Sequence, residues 1–123
     1  MKLTDDMVIF GNRAICRSYA KINLKLENGY HELESVMQSV NLFDLVIVDK
    51  MPKGIQVSTN LKYLPNNEKN IAYQAAKLFF EVTGIRGGAK ILIRKNIPVA
   101  AGLAGGSGNA AAVLAALNQL FCA

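Results

Sequence analysis

The stretch PVAAGLAGGSGNAA, residues 98–111, decides how the rest of the chain is interpreted. It lies between AKILIRKNIP, which predicts a strand closed by Pro98, and NAAAVLAALNQLF, which predicts a buried helix. Glycines between a strand and a helix let the main chain approach an anion closely, and the helix start adds unpaired N–H donors. The stretch therefore predicts a phosphate-binding loop, in which Ser107 offers a hydroxyl to a phosphate oxygen or to a metal ion bound to one. Its glycines are Gly102, Gly105, Gly106 and Gly108.

Two known motifs and one packing explanation compete with this interpretation. The Walker A pattern is excluded because no lysine follows the glycines. Gly106, Gly108 and Ala111 match the dinucleotide fingerprint GxGxxA, but the strands upstream do not suit a Rossmann unit, where this loop follows the first strand. Small residues can also serve close helix packing alone, although so many glycines around Ser107 favour the phosphate interpretation.

The first half of the sequence predicts strands that follow one another as a β-meander. Residues 14–27 alternate between two faces, one of which carries Cys16 and Ser18, as in a half-buried strand. Asn28-Gly29 predicts a two-residue hairpin turn, after which a strand starts near Tyr30 and continues through HELESVMQSV. NLFD predicts a turn into the strand LVIVDK, and GIQVST predicts a short further strand.

The second half predicts an amphipathic helix before the strand that leads into the glycine-rich stretch. Asn70 is the expected N-cap of this helix, and Gly84 stands where a C-cap glycine belongs. Its packed face is predicted from the residues at helical spacing, namely Ile71, Ala75, Leu78, Phe79 and Val82. The last helix stops at Cys122-Ala123 with no element to cover it, so we expect an incomplete chain.

Composition and charge narrow the class of protein. The 123 residues are 51% apolar, enough for one packed domain, and the net charge of +5 suits an anionic partner such as a nucleotide. The basic residues are scattered, so we expect no nucleic-acid partner. Two cysteines without CxxC spacing and a single histidine predict free thiols and no bound metal. Asp5 and Asp6 interrupt any signal sequence, and no apolar run is long enough for a membrane span, which predicts a cytoplasmic protein without membrane contact.

Four stretches together resemble one family. PVAAGLAGGSGNAA is similar to the phosphate-binding motif of the GHMP kinases, and SYAKINLKL, GYHELESVMQSVNLFD and NEKNIAYQAAKLF match the same family in the same order. The resemblance implies an α+β fold like the second domain of ribosomal protein S5, with a β-meander, helix, strand, glycine-rich loop and buried helix. Residues 1–123 would then be the N-terminal ATP-binding domain, without the family's C-terminal domain.

The resemblance also implies an activity and a set of site residues. The activity is transfer of the ATP γ-phosphoryl group, with Mg²⁺ carried by the nucleotide, to the 2-hydroxyl of a diphosphocytidyl-methylerythritol, a step of non-mevalonate isoprenoid biosynthesis. Lys21 matches the catalytic lysine, Asn23 its neighbour at the substrate, and Tyr30 and His31 the residues that hold cytosine. The implied ATP-binding residues are Lys95 near the base and, around the phosphates, Pro98, Val99, Ala100, Ala101, Gly102, Leu103, Ala104, Gly105, Gly106, Ser107 and Gly108.

The sequence also departs from the family pattern. The hairpin between Leu26 and Gly29 is shorter than usual, Gly108 replaces a serine, and Ala104 replaces a glycine. The aspartate that would act as general base falls beyond the last residue, so we expect little or no turnover from this chain alone.

Three further hypotheses remain open at the level of sequence. The chain could be a non-catalytic nucleotide- or phosphate-binding module, which would bind ATP without transferring phosphate. An RNA-binding role would show strongly salt-dependent affinity, and the scattered charges disfavour it. Apolar surface on the last helix predicts association of two copies.

Overall fold

The computed structural model describes residues 7–19, 23–26, 29–32, 43–61, 65–96 and 106–122. Within them lie seven strands and two helices. The strands are β1 (Met7–Phe10), β2 (Arg13–Tyr19), β3 (Asn23–Leu26), β4 (Gly29–Glu32), β5 (Phe43–Met51), β6 (Gly54–Thr59) and β7 (Gly88–Arg94). The helices are α1 (Ile71–Thr83), between β6 and β7, and α2 (Gly106–Leu120), after β7.

Five of the strands form one mixed sheet in the order β1-β2-β5-β7-β6. All neighbours in it are antiparallel except β6 and β7, which α1 connects as a parallel pair. The predicted α+β class is confirmed, but the predicted β-meander is wrong in its strand pairing. After β6 the chain crosses over through α1 and inserts β7 between β5 and β6, so β5 pairs with β2 and β7 rather than with its sequence neighbours.

The core lies between this sheet and the two helices. Alternate residues of the central strands, such as Cys16, Val46 and Ile93, are buried on the helix side, as a period of two requires. Helix α2 contributes Val113 and Leu117, both fully buried, and Cys16 Sγ lies 3.9 Å from the Ala112 carbonyl oxygen. The predicted alternation is therefore confirmed over residues 14–18, whereas Tyr19, predicted on the polar face, is buried as well. Helix α2 is a core helix, as its apolar sequence predicts.

Helix α1 begins and ends where the sequence predicts. The Asn70 side chain accepts a hydrogen bond from the Ala72 N–H at 2.8 Å, and Gly84, at φ 70°, donates its N–H to the Phe80 carbonyl at 3.0 Å. The predicted packed face is only partly right. Leu78 and Val82 are 54% and 76% exposed, and Ile71 is exposed as well. The buried face is instead rich in alanine, which lets α1 pack closely against the sheet and α2: Ala72, Ala75, Ala76 and Phe79.

Other strand limits differ from the predictions. The strand predicted over residues 14–27 is two strands, β2 in the large sheet and β3 in a separate two-stranded sheet with β4. Gly29, predicted as a turn residue, is instead the first residue of β4 and pairs with Leu26, while residues 27 and 28 lie outside the described residues. Phe43 and Asp44 belong to β5 rather than to a turn, because they pair with Tyr19 and Ser18 of β2. The remainder of the predicted return strand, residues 33–40, lies outside the described residues.

Strand β1 at the sheet edge has no counterpart among the sequence predictions. Its residues Met7–Phe10 pair antiparallel with β2 across a turn at Gly11 and Asn12. Gly11 adopts φ 55°, a conformation that glycine allows without strain and that two-residue hairpin turns require. A glycine-asparagine pair between the apolar run Met7–Phe10 and the alternating strand that follows was the signal for this hairpin.

Candidate functional site

The N-terminal end of α2 is the part of the glycine-rich stretch that the structure describes. The helix begins at Gly106, three residues before the alanine-rich run that predicted it, so Gly106, Ser107 and Gly108 form its first turn. The first N–H groups of a helix have no partner within it and carry the positive end of the helix dipole. The residues predicted to bind phosphate thus include these backbone donors. The preceding residues, 97–105, lie outside the described part of the chain.

A polar cluster built around the buried side chains of Asp44 and Asn109 joins this helix turn to the sheet. We call it the Asp44 network; it consists of Asp44, Lys95, Asn96 and Asn109. Asp44 Oδ2 accepts from Lys95 Nζ at 2.6 Å and from Asn109 Nδ2 at 3.1 Å, while Lys95 Nζ also donates to Asn109 Oδ1 at 2.9 Å. Asp44 Oδ1 accepts from the Asn96 backbone N–H at 2.7 Å. The start of β5, the residues after β7 and the first turns of α2 therefore meet at one carboxylate.

Strand β7 ends where side chains, rather than a neighbouring strand, take the backbone hydrogen bonds. Asn60, just after β6, accepts from the Lys95 N–H at 2.7 Å and donates Nδ2 to the Lys95 carbonyl at 3.3 Å. Asn96 donates its side-chain amide to the Phe43 carbonyl at 3.1 Å. Because these side chains satisfy backbone groups that a strand partner would otherwise take, the ladder stops at Arg94 and the chain can leave the sheet toward the glycine-rich stretch.

Lys95 is the one predicted ATP-binding side chain that the structure describes in full, and it is 8% exposed. An ammonium group has three donors, and Asp44 and Asn109 occupy two of them. Its charge is thus matched by a carboxylate within the protein. This environment gives Lys95 a structural role in joining β7 to α2, while its contact with a nucleotide base stays a prediction.

The predicted substrate residues Asn23, Tyr30 and His31 all lie in the β3–β4 hairpin. The register pairs Asn23 with Glu32, Lys25 with Tyr30 and Leu24 with His31, which brings the three predicted positions into one short ribbon. Lys21, the predicted catalytic lysine, lies outside the described residues, two positions before β3.

Sequence reasoning missed Asp44, Asn60 and Asn109 as members of this site. A signal existed for Asp44. It alternates with Val46 and Val48 in FDLVIVDK, which assigns a carboxylate to the buried face of a strand, and a buried charge requires a partner. The identity of that partner carries no local signal, because Lys95 is 51 residues away.

Other kinds of site were sought in the same part of the chain. Within the described ranges, no group of three His, Cys, Asp or Glu side chains stands close enough to hold a metal ion. Neither described helix has the length and apolar character that crossing a bilayer requires. An open groove of about 330 Å³ lies between α1 and β6, lined by Tyr73, Lys77 and Phe80 among others, and it contains no predicted site residue.

A family model, curated relatives and solved structures all match this chain to the same family of kinases. The family model described as GHMP kinases N terminal domain matches residues 70–123, which include the glycine-rich stretch and α2. Over 111 residues the chain is 51% identical to the 4-diphosphocytidyl-2-C-methyl-D-erythritol kinase of Clostridium botulinum. That match covers 85% of this chain and 40% of the relative, so the chain spans about two fifths of the length of the curated relatives it matches.

Solved structures agree with the sequence comparison. A crystal structure of 4-(cytidine 5'-diphospho)-2C-methyl-D-erythritol kinase superposes with a TM-score of 0.65 at 33% identity, covering 87% of this chain and 40% of that one. Homoserine kinase from Cytophaga hutchinsonii superposes with a TM-score of 0.76 at 20% identity, over 93% of this chain and 37% of the other. The second likeness concerns the fold alone.

Proposed function

Because the chain belongs to the GHMP kinase family, we propose that it supplies the ATP-binding part of a small-molecule kinase. The proposed reaction transfers the γ-phosphoryl group of ATP to the 2-hydroxyl of 4-diphosphocytidyl-2-C-methyl-D-erythritol, a step of non-mevalonate isoprenoid biosynthesis. The observation that carries this proposal is the 51% identity over 111 residues to a kinase named for that substrate. A nucleotide triphosphate also suits the backbone donors at the start of α2.

The phosphates of ATP are assigned to the stretch Pro98–Gly108. Gly106 and the two residues after it would donate backbone N–H groups from the first turn of α2, whose dipole favours an anion. We take Mg²⁺ to arrive on the nucleotide, because phosphate oxygens and water are its usual ligands. Two of the three N–H donors of the Lys95 ammonium group bond Asp44 and Asn109, so Lys95 would contact the nucleotide base through the third.

The acceptor side is assigned to Lys21 and to the β3–β4 hairpin. The Lys21 ammonium would neutralise charge that develops on the transferring phosphoryl group or lower the pKa of the attacking hydroxyl, since phosphoryl transfer depends mainly on positioning and charge neutralisation. Asn23, Tyr30 and His31 would hold the cytidyl substrate. The three positions lie in one hairpin of four-residue strands.

Location and assembly are proposed on separate grounds. Cys16 and Cys122 are both free thiols, which suits the reducing cytoplasm where ATP is available. Association of two copies through the last helix rests on less apolar surface than the sequence predicts. In the described part of α2, Leu114 is the large apolar side chain exposed to solvent.

Calorimetric titration with Mg-ATP tests the nucleotide assignment. We expect heat of binding from the wild-type chain and its loss in Gly105→Val, where a branched side chain would keep the backbone from a phosphate. Gln119→Val, at an exposed position of α2, is the matched control and should bind as the wild type does. Equal binding by wild type and Gly105→Val would contradict the assignment.

A chimeric enzyme tests the proposed reaction. The 111 matched residues of the Clostridium botulinum relative would be replaced by the corresponding residues of this chain, and phosphorylated product measured with the cytidyl substrate. We expect turnover, and its loss in Lys21→Met with ATP binding retained. A chimera that folds and binds Mg-ATP but forms no product would favour the non-catalytic binding module instead.

A further inference from the structure

We propose that Asp44 is a positioning residue of the nucleotide site, whose carboxylate fixes the end of β7 relative to the first turns of α2. The inference rests on the proposed function, because the glycine-rich stretch runs between these two ends. Asp44 itself lies in β5, far along the sequence from both, and is fully buried. A residue so placed acts through the loop rather than on the nucleotide.

The two oxygens of the Asp44 carboxylate bond to opposite ends of the glycine-rich stretch. Oδ1 accepts from the Asn96 backbone N–H at 2.7 Å, on the side where the chain enters the stretch. Oδ2 accepts from Asn109 Nδ2 at 3.1 Å, on the side where the chain has entered α2. One planar group of fixed size thus holds both flanks of the stretch. Lys95 closes the arrangement by bonding to Asp44 and to Asn109 at once.

Stability alone does not account for a charged cluster in this position. Taking an ion pair out of water costs about as much as the attraction between its charges returns, so apolar residues of similar size would hold the core equally well. What a hydrogen-bonded polar network adds is fixed distances and directions between the elements that it joins. Those elements are the strand before the predicted phosphate loop and the helix after it.

A second aspartate of β5 forms an exposed ion pair, which differs from the buried Asp44 network. Asp49, toward the other end of β5, bonds Arg13 Nε at 2.7 Å and Arg13 Nη2 at 3.0 Å. The hydrogen bond and charge of Asp49 raise the pKa of Arg13, but both side chains reach solvent and both belong to paired neighbouring strands. This exposed pair joins only residues that the sheet already holds together, whereas the Asp44 network also bonds Asn109 of α2, which lies outside the sheet.

The test compares two ligands on three proteins by NMR titration of the full chain. Inorganic tripolyphosphate with Mg²⁺ reports on the phosphate loop, and adenosine reports on the base. Asn109→Leu removes the α2 side of the network while leaving the Asp44–Lys95 pair, and Asp44→Asn/Lys95→Met removes both charges together. For both variants we expect tripolyphosphate affinity about tenfold lower than wild type, the loss typical of a charged buried hydrogen bond. For Asn109→Leu we expect unchanged adenosine affinity.

Amide hydrogen exchange adds a readout that needs no ligand. We expect Asn109→Leu to speed exchange in residues 110–113 of α2 while residues 117–120 keep wild-type rates, with the melting transition still cooperative. A folded Asn109→Leu that binds tripolyphosphate as wild type does would overturn the inference and leave the proposed function standing. Equal loss of adenosine and tripolyphosphate binding in Asn109→Leu, which keeps the Asp44–Lys95 pair, would indicate a general disturbance of the site and would also overturn it. A wild-type chain that binds neither tripolyphosphate nor Mg-ATP would overturn the proposed function, and this inference with it.

Discussion

Gly108 in the first turn of α2 packs directly on Ser18 of β2: a Cβ atom at Gly108 would stand 2.9 Å from Ser18 Oγ and 3.7 Å from the Tyr19 carbonyl oxygen. Ser18 is buried, so its hydroxyl has little room to move aside. The contact joins the helix start to the strand that ends just before Lys21. The GHMP kinase motif carries a serine at position 108. In this chain glycine stands there, and its lack of a side chain allows α2 and β2 to approach this closely.

The contact predicts non-additive effects on stability. In an ordinary helix position alanine is more favourable than glycine by about 1 kcal/mol. Here we expect Gly108→Ala to lower the free energy of unfolding by about 1 kcal/mol, because the added methyl overpacks against Ser18. In a Ser18→Ala background the same change should be neutral or stabilising. Urea unfolding of the four proteins measures the coupling, and equal effects of Gly108→Ala in both backgrounds would contradict the contact.

The N-cap of α1 predicts a simple loss of stability. Asn70 accepts from the Ala72 N–H and donates Nδ2 to the Pro65 carbonyl at 2.9 Å, so it fixes both the helix start and the segment before it. We expect Asn70→Ala to lower the free energy of unfolding by about 1 to 2 kcal/mol. Asn118→Ala, on the exposed side of α2, is the control and should change it little. Equal thermal midpoints for the two variants would argue against the cap.

The orientation of α1 is tested by two neighbouring residues. Phe79 is buried, whereas Leu78 is exposed although the helical spacing assigned it to the packed face. We expect Phe79→Ala to cost about 3 to 5 kcal/mol of folding free energy and Leu78→Ala less than about 1 kcal/mol. Chemical denaturation of the two variants distinguishes the faces. A larger loss from Leu78→Ala would mean that the helix is rotated from the orientation described.

The two aspartates of β5 differ in their expected effect on stability. Asp44→Asn leaves the Lys95 ammonium buried without its carboxylate, and we expect a loss of about 3 to 5 kcal/mol. Asp49→Asn removes an exposed pair whose attraction solvent screens, so a small change is expected. Adding Lys95→Met to Asp44→Asn should restore most of the loss, because no charge is then left unpaired. Thermal unfolding of the three variants tests this, and a failure of the second change to rescue would contradict the burial of Lys95.

Features with local causes could be predicted from the sequence. The limits of α1 followed from Asn70 and Gly84, because capping depends on residues within one turn of the helix end. The burial of Cys16 and Ser18 followed from strand alternation. The spacing of the glycines alone identified residues 98–111 as a candidate phosphate-binding loop, which stays a prediction. Family membership needed only the order of four such stretches.

Features that depend on distant partners could not be predicted in the same way. The position of β5 between β2 and β7 is decided by pairing between segments far apart in sequence, and no turn signal encodes it. The packed face of α1 was predicted only in part, with Ala75 and Phe79 right and Ala72 and Ala76 missed, because alanines carry a weak hydrophobic signal although they allow close approach to α2. Asn109 joins Asp44 across 65 residues, so neither residue predicts the other.

The central claim is that backbone amides at the start of α2 bind the phosphates of a nucleotide. Its most direct test is a ¹⁵N–¹H NMR titration of the wild-type chain with Mg-ATP, read residue by residue. We predict that the largest saturable shifts fall on the amides of Gly106, Ser107 and Gly108. Largest shifts in the groove at Tyr73, Lys77 and Phe80, or no saturable shift at the three α2 amides, would contradict the claim.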